Sequence, residues 1–282
     1  MSKFIGYIII LFFISCNRIS VIDDVEFPIP DIKIAVFCFL TPSDSINASI
    51  KEIRTLTNKN KESGIENAVI SLKDNNTNVE INLKHIANGG YYGITQKLFK
   101  IQANHTYSLQ VNIVNYPLLT STCTVPHQSA TFEKITYGDP FSDGNSMRRR
   151  IEARWKDVSS TEQKLNYLIS SDGKFKDSFS GEIRDSQPIL KPNKDITQSD
   201  NTFFYTSAIL DDVFPKNYYL HTLEPNLYLF EKMAQQMDNI SKKGSDSVLG
   251  SYQGVISEFT NVQNGYGIFG AYLTTSQTIT FK

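Results

Sequence analysis

Apolar and polar residues alternate with a period of two through most of the first half of the chain. In "INASIKEI" the residues Ile46, Ala48 and Ile50 fall on one side. In "ENAVISLKD" Ala68, Ile70 and Leu72 share a face, and Val69 and Ser71 take the other. "TNVEINLKH" sets Val79, Ile81 and Leu83 against Glu80, Asn82 and Lys84, and "TYSLQVNIV" lines up Tyr107, Leu109, Val111 and Ile113. This is the period of half-buried strands. "IKIAVFCFL" is instead an apolar, β-rich run. "DNN" and "NGG" between the runs are turn chemistry. Strands at intervals of about ten to fifteen residues, without a helical period, predict an antiparallel β-sandwich over residues 31–130. About seven strands are expected, in an immunoglobulin- or transthyretin-like arrangement.

"TVPHQSATFEKITY" reads as a solvated passage to a second β-rich domain, 131–282, because Pro126 breaks a ladder. There "SMRRRIEARW" alternates. Arg148, Arg150, Glu152 and Arg154 lie on one face; Met147, Arg149, Ile151, Ala153 and Trp155 lie on the other. The arginine row is either an anion or partner patch or a solvated strand face. "KLNYLISS", "KFKDSFSGEI", "NTFFYTSAIL" and "NYYLHTLE" continue the sheet. One segment departs from the two-residue period. "PNLYLFEKMAQQMDNISKKG" spaces Phe230, Met233, Met237 and Ile240 by three and four, with Leu227 and Ala234 adjoining, which predicts an amphipathic helix near 226–241. The final "GIFGAYLTTSQTITFK" predicts a strand whose glycines mark a bulge or close packing.

The N-terminus changes the picture most. Met1-Ser2-Lys3 is followed by "FIGYIIILFFIS" and Cys16. A basic start, a dozen apolar residues and a small residue make a secretory signal over 1–15. The run is shorter than the ~20 residues of a membrane-spanning helix. Phe13-Ile14-Ser15-Cys16 resembles a bacterial lipobox, with phenylalanine where leucine is usual. This reading makes Cys16 the lipidation site, and acyl chains anchor by ~0.8 kcal/mol per buried methylene. "NRISVIDDVEFPIP" then serves as a tether over 16–30, able to span ~45 Å at ~3.3 Å per residue.

The 282 residues carry a formal net charge of -1, and 40% are hydrophobic. This balance excludes the concentrated basic field of a nucleic-acid binder. Cys38 and Cys123 follow the signal, in an oxidising space. They are either bridged, which by chain entropy contributes ~4 kcal/mol for so long a loop, or two buried core thiols.

The order "KIAVFCFLTPSDSINASI", "IENAVISLKD", "GGYYGI", "YSLQVNIVNYPLLTSTCTVP", "RWKDVSSTEQKLNYLI", "LYLFEKMAQQ" and "NVQNGYGIFGAY" resembles domain-of-unknown-function family 4249 from about Ile32 to Ile279. These are Bacteroidetes outer-membrane lipoproteins. The resemblance implies genes beside TonB-dependent receptors, hence a role in ligand capture or in a receptor complex. It implies no reaction, no cofactor and no catalytic residue. Cys38 stands where the family commonly has a small residue. Asp23, Asp24 and Glu26 are similar to the acidic surface-export signals of that phylum. The expected place is therefore the outer membrane, at the cell surface or on the periplasmic leaflet.

No motif for chemistry emerges. His85, His105, His127 and His221 are far apart and read as surface or strand polar residues, without the helical pair of a zincin. There is no G-x-S-x-G elbow and no C-x-x-C. Asp139, Asp143 and Asn145 in "GDPFSDGNS" read as a polar turn, and Asp211 and Asp212 as a strand end. The expected protein is not an enzyme. Tyr91 and Tyr92 beside a glycine turn, with Tyr266 and Tyr272 around the terminal glycines, are the candidate ligand or partner contacts. The alternative function is a surface adhesion or structural β-sandwich module.

Overall fold

The apolar run at 33–40 becomes a strand buried on both faces, and the rest of the architecture is arranged around it. In the computed structural model the described residues are 33–43, 45–53, 64–87, 90–143, 146–176, 183–186, 196–199, 201–210, 214–233 and 259–279. The signal, tether and Cys16 lie outside them. The strands of the first half are β1 (Lys33–Leu40), β2 (Ile46–Ile53), β3 (Val69–Asp74), β4 (Glu80–Ala87), β5 (Tyr91–Ile94), β6 (Thr106–Asn112) and β7 (Leu119–Thr124). Those of the second are β8 (Phe132–Asp143), β9 (Ser146–Lys156), β10 (Asn166–Lys176), β11 (Ile183–Ser186), β12 (Ile196–Ser199), β13 (Thr202–Leu210), β14 (Phe214–Leu223) and β15 (Tyr266–Thr278). Residues 225–233 form a helix, α1; the rest of the helix expected to 241 lies outside the described residues. The chain is mainly β, as the alternation predicts.

Eleven of these strands form one sheet, in the order β11-β10-β14-β15-β1-β2-β5-β4-β3-β6-β7. The other four run β12-β13-β9-β8. β1 pairs antiparallel with β2 and parallel with β15, from Ala35 opposite Tyr266 to Leu40 opposite Ala271. The last strand of the chain thus completes the sheet begun by the first. Residues Ile32–Lys282 form one compact unit. The boundary expected at 130/131 therefore does not separate two bodies. The passage there is not a solvated linker either. Val125 and Ala130 are fully buried. Ala130 N donates to Thr222 Oγ1 (2.9 Å), and Thr275 Oγ1 donates to Ala130 O (2.6 Å).

The large sheet folds back on itself. Thr120 on β7 bridges to Gln263, and Ser121 Oγ donates to Asn261 O (2.8 Å), just ahead of β15. The enclosed core takes the inward residues the alternation marks: Ile46, Ala48 and Ile50; Ala68, Ile70 and Leu72; Tyr107, Leu109, Val111 and Ile113. Each such large apolar side chain contributes ~1.5–3 kcal/mol by leaving water. A second core forms where β9 and β13 face β10 and β14. Trp155 is its fully buried centre, stacked on Phe203 at 5.7 Å and edge-on to Tyr167 at 5.8 Å.

One local feature differs from the sequence expectation. "GDPFSDG" is not a turn up to Asp143: β8 runs through Asp139, with a register shift between Tyr137 and Pro140. Proline is tolerated there because β8 is an edge strand. Gly267 confirms the expected close packing, with φ of +100° and a position where a Cβ would lie 2.1 Å from Val36 O.

Candidate functional site

Strand alternation gives the middle of the large sheet two covered faces. On β14, Tyr218 and Leu220 enter the second core, so Tyr219, His221 and Leu223 point the other way. On β10, Tyr167 and Ile169 go in, and Leu168 and Ser170 join His221. His221 lies opposite both Leu168 and Thr274; Leu223 lies opposite Tyr272. Phe37 and Phe39 extend this outer face onto β1 and pack in a third cluster with Ile268 and Leu227.

Helix α1 covers the face. Its start is set by Glu224, whose carboxylate accepts from Asn226 N (3.0 Å) and Leu227 N (2.8 Å) as an N-cap, with Pro225 in the first turn. Glu224 N donates to Ala271 O (3.1 Å), which ties the cap to β15. Burial pushes the Glu224 carboxyl up to about 7, against the two N–H bonds. Leu227 fits over Gly270, where a Cβ would come within 2.8 Å of the leucine's own. The Phe230 ring lies 6.1 Å from that of Phe37.

Between helix and sheet is a cavity of about 300 Å³. It is walled by Phe39, Leu168, Leu223, Leu227 and Tyr272, with Ser170, His221 and Glu231 as its polar side chains. His221 Nε2 is 2.7 Å from Ser170 Oγ, and Nδ1 is 2.9 Å from Thr274 Oγ1. Burial pushes the His221 imidazole down to about 4, so at neutral pH it is uncharged.

Ser170, His221 and Thr274 stand in the order of nucleophile, base and orienter, with a threonine in the place of a carboxylate. An imidazole with so low a pKa is a poor proton acceptor. Threonine also supplies no negative charge to steady an imidazolium. The arrangement suits hydrogen bonding instead. A neutral imidazole donates through one nitrogen and accepts through the other. With the proton on Nδ1, Ser170 donates to Nε2 and offers lone pairs to a guest. With the proton on Nε2, Ser170 accepts from it and offers its own hydrogen. Glu231 differs: burial raises its carboxyl pKa, and it has no hydrogen-bond or ionic partner among the described residues.

Of the four tyrosines singled out in the sequence, Tyr272 alone lines the cavity; its ring lies 5.9 Å from that of His221. Tyr92 is corrected to a core residue. It is buried, its hydroxyl donates to Ile65 O and accepts from Ala68 N, both at 2.9 Å. Tyr91, its strand neighbour, is exposed. Tyr266 holds Lys33, whose Nζ donates to the tyrosine hydroxyl (2.6 Å). β5 and β15 are separated by β1 and β2, roughly 14 Å at ~4.8 Å per strand, so the tyrosines do not form one patch. Cys38 and Cys123 are both buried free thiols, the second of the two readings left open. Burial pushes the Cys38 thiol up to about 12.

From Arg150 onward the arginine row is a solvated face: Arg150, Glu152 and Arg154 are exposed above buried Ile151, Ala153 and Trp155, while Arg148 is half-buried. Arg154 and Lys156 share Glu133, at 3.1 and 3.5 Å. Among the remaining histidines, His105 pairs with Asp74 (2.8 Å) and His127 with Gln163 (2.9 Å); His85 packs edge-on against Tyr92. Among the described residues no three His, Cys, Asp or Glu side chains are grouped to hold a metal. None of the described helices is long and apolar enough to cross a membrane. Asp211 and Asp212 lie outside the described residues.

Sequence reasoning missed Ser170, His221 and Glu231. Ser170 and His221 are 51 residues apart in the chain and meet only through the pairing of β10 with β14, and no local pattern joins them to Glu231. A family model described as "Domain of unknown function (DUF4249)" matches residues 22–278. No curated protein matches the chain.

Proposed function

This chain belongs to the DUF4249 family, and from that premise we propose that it is a lipid-anchored outer-membrane accessory protein that captures a nutrient ligand for a TonB-dependent receptor. The observation that carries the capture step is the cavity under α1. Small-molecule sites are concave and mostly apolar, with a few placed polar groups, and begin at about 300 Å³. The cavity has that size and that lining. Its histidine is held neutral and already bonded, so the cavity is fitted to hold a guest rather than to transform it.

The remaining parts rest on the sequence. The signal and the Cys16 lipobox supply an anchor, and residues 16–30 supply reach. Several acyl chains together hold firmly to a bilayer where a single chain does not. The receptor partnership rests on the family resemblance.

Metabolic labelling with palmitate tests the anchor. The wild-type chain is expected to incorporate label and fractionate with the outer membrane. Cys16→Ser is expected to lose the label and the membrane fraction together. An unlabelled wild-type chain, or a Cys16→Ser chain in its original location, contradicts the proposal.

A further inference from the structure

Resting on the capture reading above, we infer that the cavity takes an amine: a small molecule whose ammonium group pairs with Glu231 and whose apolar body lies against Phe39, Leu227 and Tyr272. Three observations converge on this class.

The first is charge. Glu231 lines the cavity with no counter-ion among the described residues, and neither lysine nor arginine is among the described lining side chains. Glu231 is half-buried, and a carboxylate partly withdrawn from water without a partner is destabilised. An ammonium in the cavity restores the missing interaction, whereas an anionic guest meets only repulsion and a neutral one leaves the carboxylate as it was.

The second is the state of the other polar groups. Ser170, His221 and Thr274 bond to one another and carry no charge at neutral pH. They retain one free donor or acceptor at Ser170, enough to orient a polar tip but not to neutralise a carboxylate. Among the described residues, the charge selectivity of the cavity therefore falls on Glu231.

The third is the wall. Phe39 and Tyr272 present aromatic rings to the same space, and a cation over a ring face gains ~0.5–2 kcal/mol. The volume of about 300 Å³ admits one ring with a short chain.

The test is an NMR titration of the purified mature chain, read at the His221 imidazole, with three probes of matched shape: 2-phenylethylamine, 2-phenylethanol and 3-phenylpropionate. The amine is expected to bind at least tenfold more tightly than the alcohol, with the carboxylate weakest. Glu231→Gln, on a partly exposed helical position, is expected to reduce amine affinity to that of the alcohol and to leave the alcohol unchanged. If alcohol or carboxylate matches the amine, or if Glu231→Gln leaves amine binding intact, the ammonium assignment is overturned while capture in this cavity stands. If none of the three moves the His221 signals, both fall.

Discussion

Acidification from pH 7 to pH 4 is expected to weaken the fold through His221. The ring sits under α1, bonded to Ser170 and Thr274, and burial holds its pKa near 4 rather than the usual 6.5. In the unfolded chain the imidazole binds a proton with a pKa of about 6.5. Between these values the unfolded state carries more protons, so stability falls as pH falls. It is fully present above about 6.5 and lost as pH drops through about 4. The difference between 6.5 and about 4 corresponds to about 3 kcal/mol, a large share of a typical folding free energy.

Other groups move in the same interval. Burial keeps the carboxyls of Glu224 and Glu231 above their ordinary values, so these side chains favour the fold as pH falls. Burial also opposes ionisation of Asp74, but hydrogen bonds from His105, Asn76 and Thr77 outweigh it and hold that carboxyl low. Its stabilising effect is lost only at the acid end. The His221 effect is therefore read as a difference. Urea unfolding of the wild type and His221→Gln at pH 7, 6, 5 and 4 should show the wild-type advantage shrinking by about 3 kcal/mol. A gap that stays constant with pH, or an imidazole midpoint near 6.5 by NMR, refutes the reasoning.

Three further outcomes are expected. Gly267→Ala forces a Cβ to within 2.1 Å of Val36 O at a φ of +100°; thermal melts should show a loss of about 3 kcal/mol or more, and an unchanged melting temperature contradicts the close pairing of β1 and β15. Trp155→Ala removes the centre of the second core and should cost about 3–5 kcal/mol by urea unfolding, whereas a change within 1 kcal/mol would place that ring at the surface. Cys38 and Cys123 should resist a thiol reagent in the folded chain and react in denaturant; rapid labelling of the folded chain, or no labelling of the unfolded one, contradicts two buried free thiols.

Much of the strand structure was legible because half-buried strands write their two faces into the sequence. Ile70 and Leu72 are buried as the alternation of "ENAVISLKD" requires, and exposed Val69 sits on the other side. The helix start was legible from Pro225 and the three-and-four spacing that follows. The parallel pairing of β1 with β15 was not. Nothing local in "KIAVFCFL" or "YGIFGAYL" says that strands more than 220 residues apart are neighbours, and that pairing joins the two expected domains into one unit. β8 was obscured by Gly138 and Pro140, turn residues that an edge strand with a register shift accommodates. The site was hidden for the same reason as the topology. His221 acquires Ser170 and Thr274 only because β10 and β15 flank β14. The glycine turn beside Tyr91 and Tyr92 suggests exposure of both, but one residue along a strand reverses the face. Tyr91 takes the exposed side and Tyr92 the core.

The most direct measurement is a mild-detergent purification of the tagged, full-length chain from native membranes, with mass spectrometry of what accompanies it. Partnership with a TonB-dependent receptor predicts that such a receptor co-purifies in near-stoichiometric amount from wild-type cells and is absent when Cys16→Ser is purified. Recovery of the lipidated chain without any receptor, across several growth conditions, would contradict it.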